Sequence, residues 1–464
     1  MVKKRLSILI FFLLTFLGFT QNSSRDLSIE KWVFINESNP EWFSAKVPGT
    51  VHTDLLHNNL IPDPFVGANE KQLQWIENEN WEYETHFTLS ESELKNQNID
   101  LEFEGLDTYA TVFLNGKVVL EANNMFRKWT ISAKSHLKIG SNHLKVIFHS
   151  AVQKGKEEAS KLSYTLPEKE RVFVRKAQYQ FGWDWGPRFV TAGIWKKVQL
   201  KFWNSAKIEN IKFSQVELND KKAILEFTTE IYVSKAKTIQ LKINEKSETF
   251  NLKKGKNNIQ MQYEIANPKL WWCNGLGDAN LYPFAVEISQ KNQLLDSKKL
   301  NIGLRTIELI QEKDQAGKSF YFKLNGKSVF MKGANMVPPD SFLPRVSDST
   351  YFSLVENAKK ANMNMLRVWG GGVYFDNKGI RFYTQRDYIV ISSTFKGKFT
   401  APVLGAKKSS MFSRFGNPKL KDGNWEAYQM AYGIMIVYYN AAGVANKLII
   451  STKTTDDIDL CITN

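Results

Sequence analysis

The stretch from Gln180 to Pro187 combines residue types that can bind a sugar. It reads Gln-Phe-Gly-Trp-Asp-Trp-Gly-Pro, so that Asp184 stands between Trp183 and Trp185. A carboxylate accepts hydrogen bonds from vicinal hydroxyl groups, and aromatic faces pack against the C–H faces of a pyranose. The flanking glycines and proline predict an irregular loop. The alternative interpretation is a structural loop that the two tryptophans anchor.

A second group of residues, Arg367 to Tyr374, reads Arg-Val-Trp-Gly-Gly-Gly-Val-Tyr. It begins in a short apolar strand pattern, Met363 to Trp369, which follows a pattern typical of an amphipathic helix. Functional residue types at the carboxyl end of a strand that follows a helix are typical of a (β/α) barrel. We expect Asp348 to cap the helix. The apolar residues with helical spacing are Tyr351, Leu354, Val355 and Ala358.

The elements that must position these residues are mostly strands. Alternation of large and polar residues from Trp81 to Leu89, with a hairpin signal at Asn115-Gly116, predicts a sandwich of jelly-roll type. A second run of short strands predicts an immunoglobulin-like sandwich, and Trp271-Trp272 near its end is interpreted as a plug at a domain junction. A hairpin turned at Asn325-Gly326 opens the third block.

The predicted fold is therefore mainly β and multi-domain: a signal peptide (1–20), a jelly-roll, galactose-binding-like β-sandwich (21–205), an immunoglobulin-like β-sandwich (206–310), the start of an incomplete (β/α)8 TIM barrel (311–375), and an unassigned stretch (376–464).

The N-terminus predicts export. Basic residues 3–5 precede a nearly unbroken apolar run from Leu6 to Leu17, and the small residues Gly18 and Thr20 precede Gln21. That apolar run is short for a membrane-spanning helix and is typical of a secretory signal. An uncleaved membrane anchor is the alternative. We expect the mature protein in a periplasmic, extracellular or lysosome-like compartment, without stable membrane association.

Composition excludes several other classes of function. The formal net charge is +15, but the lysines are scattered through strand-like segments and form no arginine-rich stripe, which argues against nucleic acid. The six histidines have no metal-ligand spacing, so neither a metal nor a cofactor is expected. Two distant cysteines, Cys273 and Cys461, do not make a disulfide framework. Most of the 13 tryptophans are expected in the sandwich cores.

Further motifs follow one another along residues 30–375. They are Val47 to His52, Pro62 to Phe65, Gly105 to Thr108, Leu270 to Trp272 before Asn274-Gly275, and Lys332 to Asn335. With the Trp-Asp-Trp loop, they make the sequence resemble the β-mannosidases of glycoside hydrolase family 2. Within that family, the loop favours the β-mannosidases over the galactosidases and glucuronidases.

The resemblance implies a retaining exo-hydrolase that removes terminal, non-reducing β-D-mannose from an oligosaccharide or glycan. It implies sugar binding by Trp183, Asp184, Trp185 and Trp369, and a place in the same site for Arg367 and Asn335. Retaining hydrolysis needs two carboxyl groups about 5–5.5 Å apart. In the family, both are glutamates from later barrel strands.

The sequence departs from the family at this point. The stretch from Gln311 to Asn464 is shorter than the roughly 200 residues that a (β/α)8 barrel usually needs. Glu426 is the only glutamate after Trp369, and its neighbours do not match the family's catalytic motif. No catalytic residue is therefore assigned, and the chain as it stands is expected to be inactive. One alternative is a non-catalytic mannoside-binding protein. Another is a purely structural β-sandwich protein, but the motif that begins at Arg367 argues against it.

The export signal leads to a first prediction. Material secreted by an expressing cell should begin near Gln21, because a signal peptidase removes the basic and apolar start. Intact-mass spectrometry and N-terminal peptide mapping measure this directly. Recovery of exported protein that still begins at Met1 would contradict cleavage and favour the anchor.

Overall fold

The computed structural model describes residues 22–36, 38–162, 169–183, 186–313, 315, 317–368, 373–375, 380–383, 388–392, 403–430 and 433–451. The chain is mainly β throughout this part. Within it, no helix is both long and apolar enough to cross a membrane.

The first unit is a β-sandwich with short helices at its edges. One sheet has the order β1-β12-β5-β8 and the other β3-β2-β4-β9-β6-β7. The helices are α1 (Val51–His57), α2 (Asn69–Gln72), α3 (Glu91–Leu94) and α4 (Ala151–Ala159). The strands are β1 (Ser23–Asp26), β2 (Trp32–Asn36), β3 (Asn39–Ala45), β4 (Trp81–Leu89), β5 (Asn98–Phe103), β6 (Tyr109–Leu114), β7 (Lys117–Asn123), β8 (Trp129–Ser132), β9 (Gly140–His149), β10 (Phe181–Trp183), β11 (Gly186–Arg188) and β12 (Val198–Trp203).

Buried and more exposed residues alternate along the strands of this sandwich, as the sequence predicts. Along β4 every second residue from Trp81 is buried, so one face of the strand enters the core. The Asn115-Gly116 turn joins β6 to β7, and both residues have positive φ angles of 52° and 80°. The jelly-roll prediction is confirmed.

The second unit is a smaller sandwich of two antiparallel sheets, ordered β13-β14-β17 and β16-β15-β18-β19. Its core lies between them and includes Phe227, Leu241 and Val286, which are fully buried. The prediction of an immunoglobulin-like unit is confirmed. Its strands are β13 (Ala206–Leu218), β14 (Lys222–Val233), β15 (Lys237–Ile243), β16 (Lys246–Leu252), β17 (Gly255–Ala266), β18 (Tyr282–Gln290) and β19 (Gln293–Ile302).

The described part of the third unit contains one β/α/β step, residues 333–368. Strands β23 and β24 pair in parallel, as neighbouring strands of a barrel do, and α5 connects them. The prediction that Asp348 caps this helix is wrong: the N-cap is Ser347, whose Oγ accepts the backbone N–H of Thr350 at 3.2 Å, and Asp348 lies in the first turn. The elements are β20 (Ile307–Ile310), β21 (Tyr321–Leu324), β22 (Lys327–Val329), β23 (Gly333–Met336), α5 (Asp348–Lys360) and β24 (Met365–Val368).

After β24, the described residues do not continue the β/α alternation. The described part forms a seven-stranded antiparallel sheet ordered β25-β26-β27-β31-β30-β29-β28, with apolar clusters on both faces. The prediction that residues 373–375 belong to the barrel is wrong, because they form the edge strand of this sheet. Its elements are β25 (Val373–Phe375), β26 (Ile380–Tyr383), β27 (Tyr388–Ser392), α6 (Phe412–Phe415), β28 (Leu420–Asp422), β29 (Trp425–Met430), β30 (Gly433–Tyr439) and β31 (Ala445–Ser451).

Phe342 joins the third unit to the first sandwich. Its side chain is fully buried, with its ring centroid 5.4 Å from that of His52 and 5.3 Å from that of Phe189. Phe65 contacts the same ring edge-on at 5.7 Å, and the Arg345 guanidinium lies 4.9 Å above it. An aromatic ring from the barrel start is therefore enclosed by rings of the sandwich, which fixes the two units together.

Trp271 and Trp272 join the second sandwich to the third unit. They pack with Cys273 against Leu324 and Val329 of the β21–β22 hairpin. This position agrees with the interpretation of the tryptophan pair as a plug at a domain junction.

The burial of His52 makes the stability of the first sandwich dependent on pH. Burial, and secondarily the charge of Lys176, lower the pKa of His52 from 6.5 to about 3. Between these values the unfolded chain binds a proton that the folded chain does not, so stability falls as pH falls. Asp54 acts in the opposite direction, because burial raises its pKa to about 7. Its contribution is common to the wild type and to His52 variants.

We predict that wild type loses about 2 kcal/mol relative to His52→Phe between pH 7.5 and pH 5, at about 1.4 kcal/mol per pH unit below 6.5. Phenylalanine fits a site already lined by aromatic rings and cannot be protonated. The measurement is the unfolding free energy of both proteins in urea at the two pH values. If the difference in unfolding free energy between the two proteins were the same at pH 7.5 and at pH 5, His52 would not be held neutral in the folded protein.

Candidate functional site

Strands β10 and β11 form the hairpin that carries the predicted sugar-binding loop. Trp183 at the end of β10 pairs with Gly186 at the start of β11. A Cβ on Gly186 would lie 2.3 Å from the Trp183 ring, so only glycine permits this approach. Gly182 has a φ angle of +81°, which also favours glycine. Asp184 and Trp185, between the two strands, lie outside the described residues.

Arg188 anchors the hairpin to the body of the sandwich. Its Nε and Nη2 donate to the Glu77 carboxylate at 3.0 and 2.8 Å, in the two-pronged geometry that makes arginine–carboxylate pairs strong. Its backbone N–H donates to Glu70 Oε1 at 2.7 Å, and Gln74 Nε2 donates to its carbonyl at 2.9 Å. Three side chains from the segment before β4 therefore hold one strand of the hairpin.

A buried ion pair lies beneath the same hairpin. Lys176 Nζ donates to both oxygens of Asp107, and neither side chain is exposed. Lys176 also donates to the Thr191 carbonyl at 2.7 Å, and Thr191 Oγ1 donates to Asp107 Oδ2 at 2.6 Å. Burial lowers the pKa of Lys176, and Asp107 opposes that shift. Every charge in the cluster has a partner, as burial requires.

The cluster reaches the loop through Gln180. Its Nε2 donates to Thr191 Oγ1 at 2.8 Å, and Gln180 directly precedes β10. Thr191 follows β11 by three residues. Both ends of the hairpin are thus connected to one buried carboxylate, Asp107.

Asn335 and Arg367 meet at the start of the barrel. They are paired in register on β23 and β24, and Arg367 Nη1 donates to Asn335 Oδ1 at 3.1 Å. Both side chains are exposed, so their remaining hydrogen-bonding groups can reach a ligand. Trp369, which is predicted to line the same site, lies outside the described residues.

The structure adds Tyr179 to the residues near the loop. Its ring contacts Trp183 edge-on at 6.1 Å, a geometry that holds the tryptophan ring from one side. Sequence reasoning did not single out Tyr179, Lys176 or Arg188. Asp107 occurred in a motif but had no role, because the pairing of a lysine and an aspartate 69 residues apart has no local sequence signal.

Glu426 lies in a different environment from that of a barrel carboxylate. It is on β29 in the antiparallel sheet and is 9% exposed. Its Oε2 accepts hydrogen bonds from the hydroxyls of Tyr428 and Tyr439, both at 2.6 Å. Burial, followed by the hydrogen bond to Glu426, raises the pKa of each tyrosine. The carboxylate is thus held by side chains of its own sheet.

The described part of the chain is modular. A jelly-roll sandwich that carries an aromatic hairpin is followed by an immunoglobulin-like sandwich and by the start of a parallel barrel. Residues 32–196 match the galactose-binding domain-like model of glycosyl hydrolase family 2, and residues 206–305 match the family 2 model itself. The two ranges cover more than half of the chain, which belongs to glycoside hydrolase family 2.

The proteins similar to this chain include β-mannosidases. β-Mannosidase B of Aspergillus flavus is 33% identical over 375 residues, which cover 78% of this chain and 43% of that protein. β-Mannosidase B of Emericella nidulans is 34% identical over 386 residues, which cover 78% of this chain and 44% of that protein. The crystal structure of the β-D-mannosidase of Dictyoglomus thermophilum matches this chain with a TM-score of 0.72 and 40% sequence identity. The match covers 77% of this chain and 45% of that one. The chain spans less than half the length of these relatives.

We predict that Lys176→Met destabilises the first sandwich by about 3–5 kcal/mol, because it leaves the Asp107 carboxylate buried without its cation. The double variant Lys176→Met/Asp107→Asn should recover part of this loss. Urea unfolding followed by tryptophan fluorescence measures both.

Lys95→Met is the matched control. Lys95 pairs with Glu91 on the surface, and an exposed pair contributes about 0–1 kcal/mol. A cost below about 1 kcal/mol for Lys176→Met would contradict the proposed importance of the buried pair.

Proposed function

We propose that this chain is the mannose-binding portion of a β-mannosidase, in which the hairpin of the first sandwich and the start of the barrel hold a terminal β-D-mannose. The observation that carries the proposal is the Gly-Trp-Asp-Trp-Gly-Pro hairpin, held by Arg188 and the Lys176–Asp107 pair, in a chain 33–40% identical to β-mannosidases. Asp184 accepts hydrogen bonds from sugar hydroxyls, and Trp183 and Trp185 contact the ring. Trp369, Arg367 and Asn335 complete the site from the barrel.

We further propose that the chain as it stands binds and does not hydrolyse. Retaining hydrolysis needs an acid/base and a nucleophile about 5–5.5 Å apart at the sugar. Glu426, the only glutamate after Trp369, is hydrogen-bonded within the antiparallel sheet. Its burial there favours the second candidate, a non-catalytic mannoside-binding protein. The coding DNA separates the two: a continuation in another reading frame supports an enzyme. We propose that either form is exported.

The activity prediction concerns the purified chain and p-nitrophenyl β-mannoside. Ordinary enzymes turn over roughly 1–10³ times per second, and we expect no release of nitrophenol above a heat-denatured control. Turnover in the ordinary range would contradict the proposal and would make Glu426→Gln the first variant to test.

The binding prediction concerns Asp184. A hydrogen bond to a charged group contributes about 1.5–3 kcal/mol, so Asp184→Ala should weaken the binding of methyl β-mannoside about 10- to 100-fold. Calorimetric titration measures the affinity, and thermal unfolding measures the stability. Asp220→Ala, in an exposed turn of the second sandwich, is the control. Loss of stability at Asp184 with unchanged affinity would identify the loop as structural. The same variant in the Dictyoglomus enzyme tests the loop in a longer relative.

A further inference from the structure

A small cavity of the first sandwich is lined mainly by aromatic rings, and we call it the aromatic pocket. Its volume is about 140 Å³. An apolar cavity of roughly 150 Å³ holds one benzene molecule, so the aromatic pocket has room for one small organic group. The proposed sugar site uses none of its four rings, which belong to Phe34 of β2, Phe43 of β3, Trp81 of β4 and Trp75 of the 3-10 turn Gln74–Asn78.

The four rings surround a shared space. The ring centroids of Phe34 and Phe43 lie 6.2 Å apart, those of Phe34 and Trp81 6.0 Å, and those of Trp75 and Trp81 5.9 Å. The ring planes in these pairs are inclined by 49°, 34° and 43°, so the rings do not form a flat stack. Phe34 and Trp81 are buried and form the floor of the pocket, whereas Trp75 is 41% exposed and lies at its mouth.

The floor of the pocket is fixed by contacts inside the sandwich. Phe34 stacks on Tyr83 with a centroid distance of 5.7 Å, and the Tyr83 hydroxyl donates to Asp54 Oδ2 at 2.8 Å. The indole N–H of Trp81 donates to the carbonyl of Ile76 at 3.1 Å, so the polar atom of this ring is satisfied within the protein. A ligand would therefore find the rings already in place, which reduces the entropy lost on binding.

The electrostatics of the pocket favour a cation. Glu41, exposed on β3, is the charged residue among the described residues that line it, and that lining includes no lysine or arginine. The faces of aromatic rings carry the negative part of the ring quadrupole. The carboxylate and the four rings therefore attract positive charge together.

A cation with an apolar surface fits this lining better than a sugar does. A pyranose carries several hydroxyl groups, and each one that lost its water without gaining a partner would oppose binding. Besides Glu41, the polar side chain in the described lining is Asn36, whereas Leu55 and Leu60 offer no hydrogen bond. A quaternary ammonium group needs no hydrogen bond, and enclosure by aromatic rings is a known way to bind it.

We propose that the aromatic pocket binds a quaternary ammonium group of the trimethylammonium type, as carried by choline. The methyl groups pack on Phe34, Phe43 and Trp81, Trp75 closes over the cation, and Glu41 balances its charge. This inference goes beyond the proposed function and does not depend on mannose binding.

The experiment titrates the full chain with choline in a calorimeter. A parallel titration uses 3,3-dimethylbutan-1-ol, which has the shape of choline without its charge. At about 0.15 M salt the Debye length is about 8 Å, so the net charge of +15 opposes the approach of a cation only weakly. We expect saturable, one-to-one binding of choline that is at least about 5-fold tighter than binding of the neutral compound.

Three results of the titrations overturn the proposal. They are the absence of saturable choline binding, an equal affinity for the neutral compound, and displacement of choline by methyl β-mannoside, which would show that the pocket takes a sugar. A chain that binds choline but not methyl β-mannoside supports this inference and counts only against the proposed function.

Variants of the pocket make the test specific. Trp75→Leu keeps an apolar side chain at the mouth and removes the ring, so it should weaken choline binding about 5- to 30-fold. Glu41→Gln should weaken it about 2- to 5-fold and leave binding of the neutral compound unchanged. Glu121→Gln removes an exposed carboxylate on β7 of the same sandwich and is the matched control. Thermal unfolding checks that each variant is folded. An equal loss in the control, or unchanged affinity in both pocket variants, overturns the proposal.

A last measurement identifies the source of the trimethylammonium group. Sedimentation with phosphatidylcholine vesicles of the wild type, but not of Trp75→Leu, would identify a lipid headgroup as the ligand. Binding of choline without sedimentation would identify a free small molecule. Both results support the site, and sedimentation of both proteins to the same extent together with unchanged choline affinity in Trp75→Leu overturns it.

Discussion

The buried ion pair of Lys176 and Asp107 is the interaction on which the geometry of the candidate site depends. Two unpaired charges in a protein interior would each cost several kcal/mol, so the surrounding hydrogen bonds must all be made together. Thr191 and Gln180 make them, and these residues flank the two strands of the aromatic hairpin. The hairpin therefore has a defined direction because the cluster beneath it tolerates few alternative arrangements.

The arrangement of the units follows from two aromatic contacts. Phe342 enters a site formed by His52, Phe65 and Phe189 in the first sandwich, and Trp271 and Trp272 pack on the hairpin after the second. Together they place the start of the barrel against both sandwiches. The hairpin and the pair of Asn335 and Arg367 thus belong to one framework, although they come from different units.

Much of the fold could be predicted because its signals are local. Alternation along β4 and the Asn-Gly turns depend on neighbouring residues only, and both are observed. The helix cap was assigned one residue too late, because Ser347 and Asp348 are both good caps and only the backbone geometry distinguishes them. The antiparallel sheet was not predicted, since β27 pairs with β31 across about 60 residues without a short-range signal. Of the predicted site, Trp183, Asn335 and Arg367 lie within the described residues.

The sequence by itself determined the strands, their turns, the order of the units and the residue types of the sugar-binding loop. Hydrophobic periodicity and the conformational preferences of glycine and proline depend on residues that are close in the sequence, so they can be recognised from the sequence alone. The tertiary structure alone decided that Lys176 meets Asp107, that Arg188 is held by Glu77, and that Glu426 is enclosed by tyrosines. These contacts join distant residues, and their strength comes from burial, which exists only after the chain has folded.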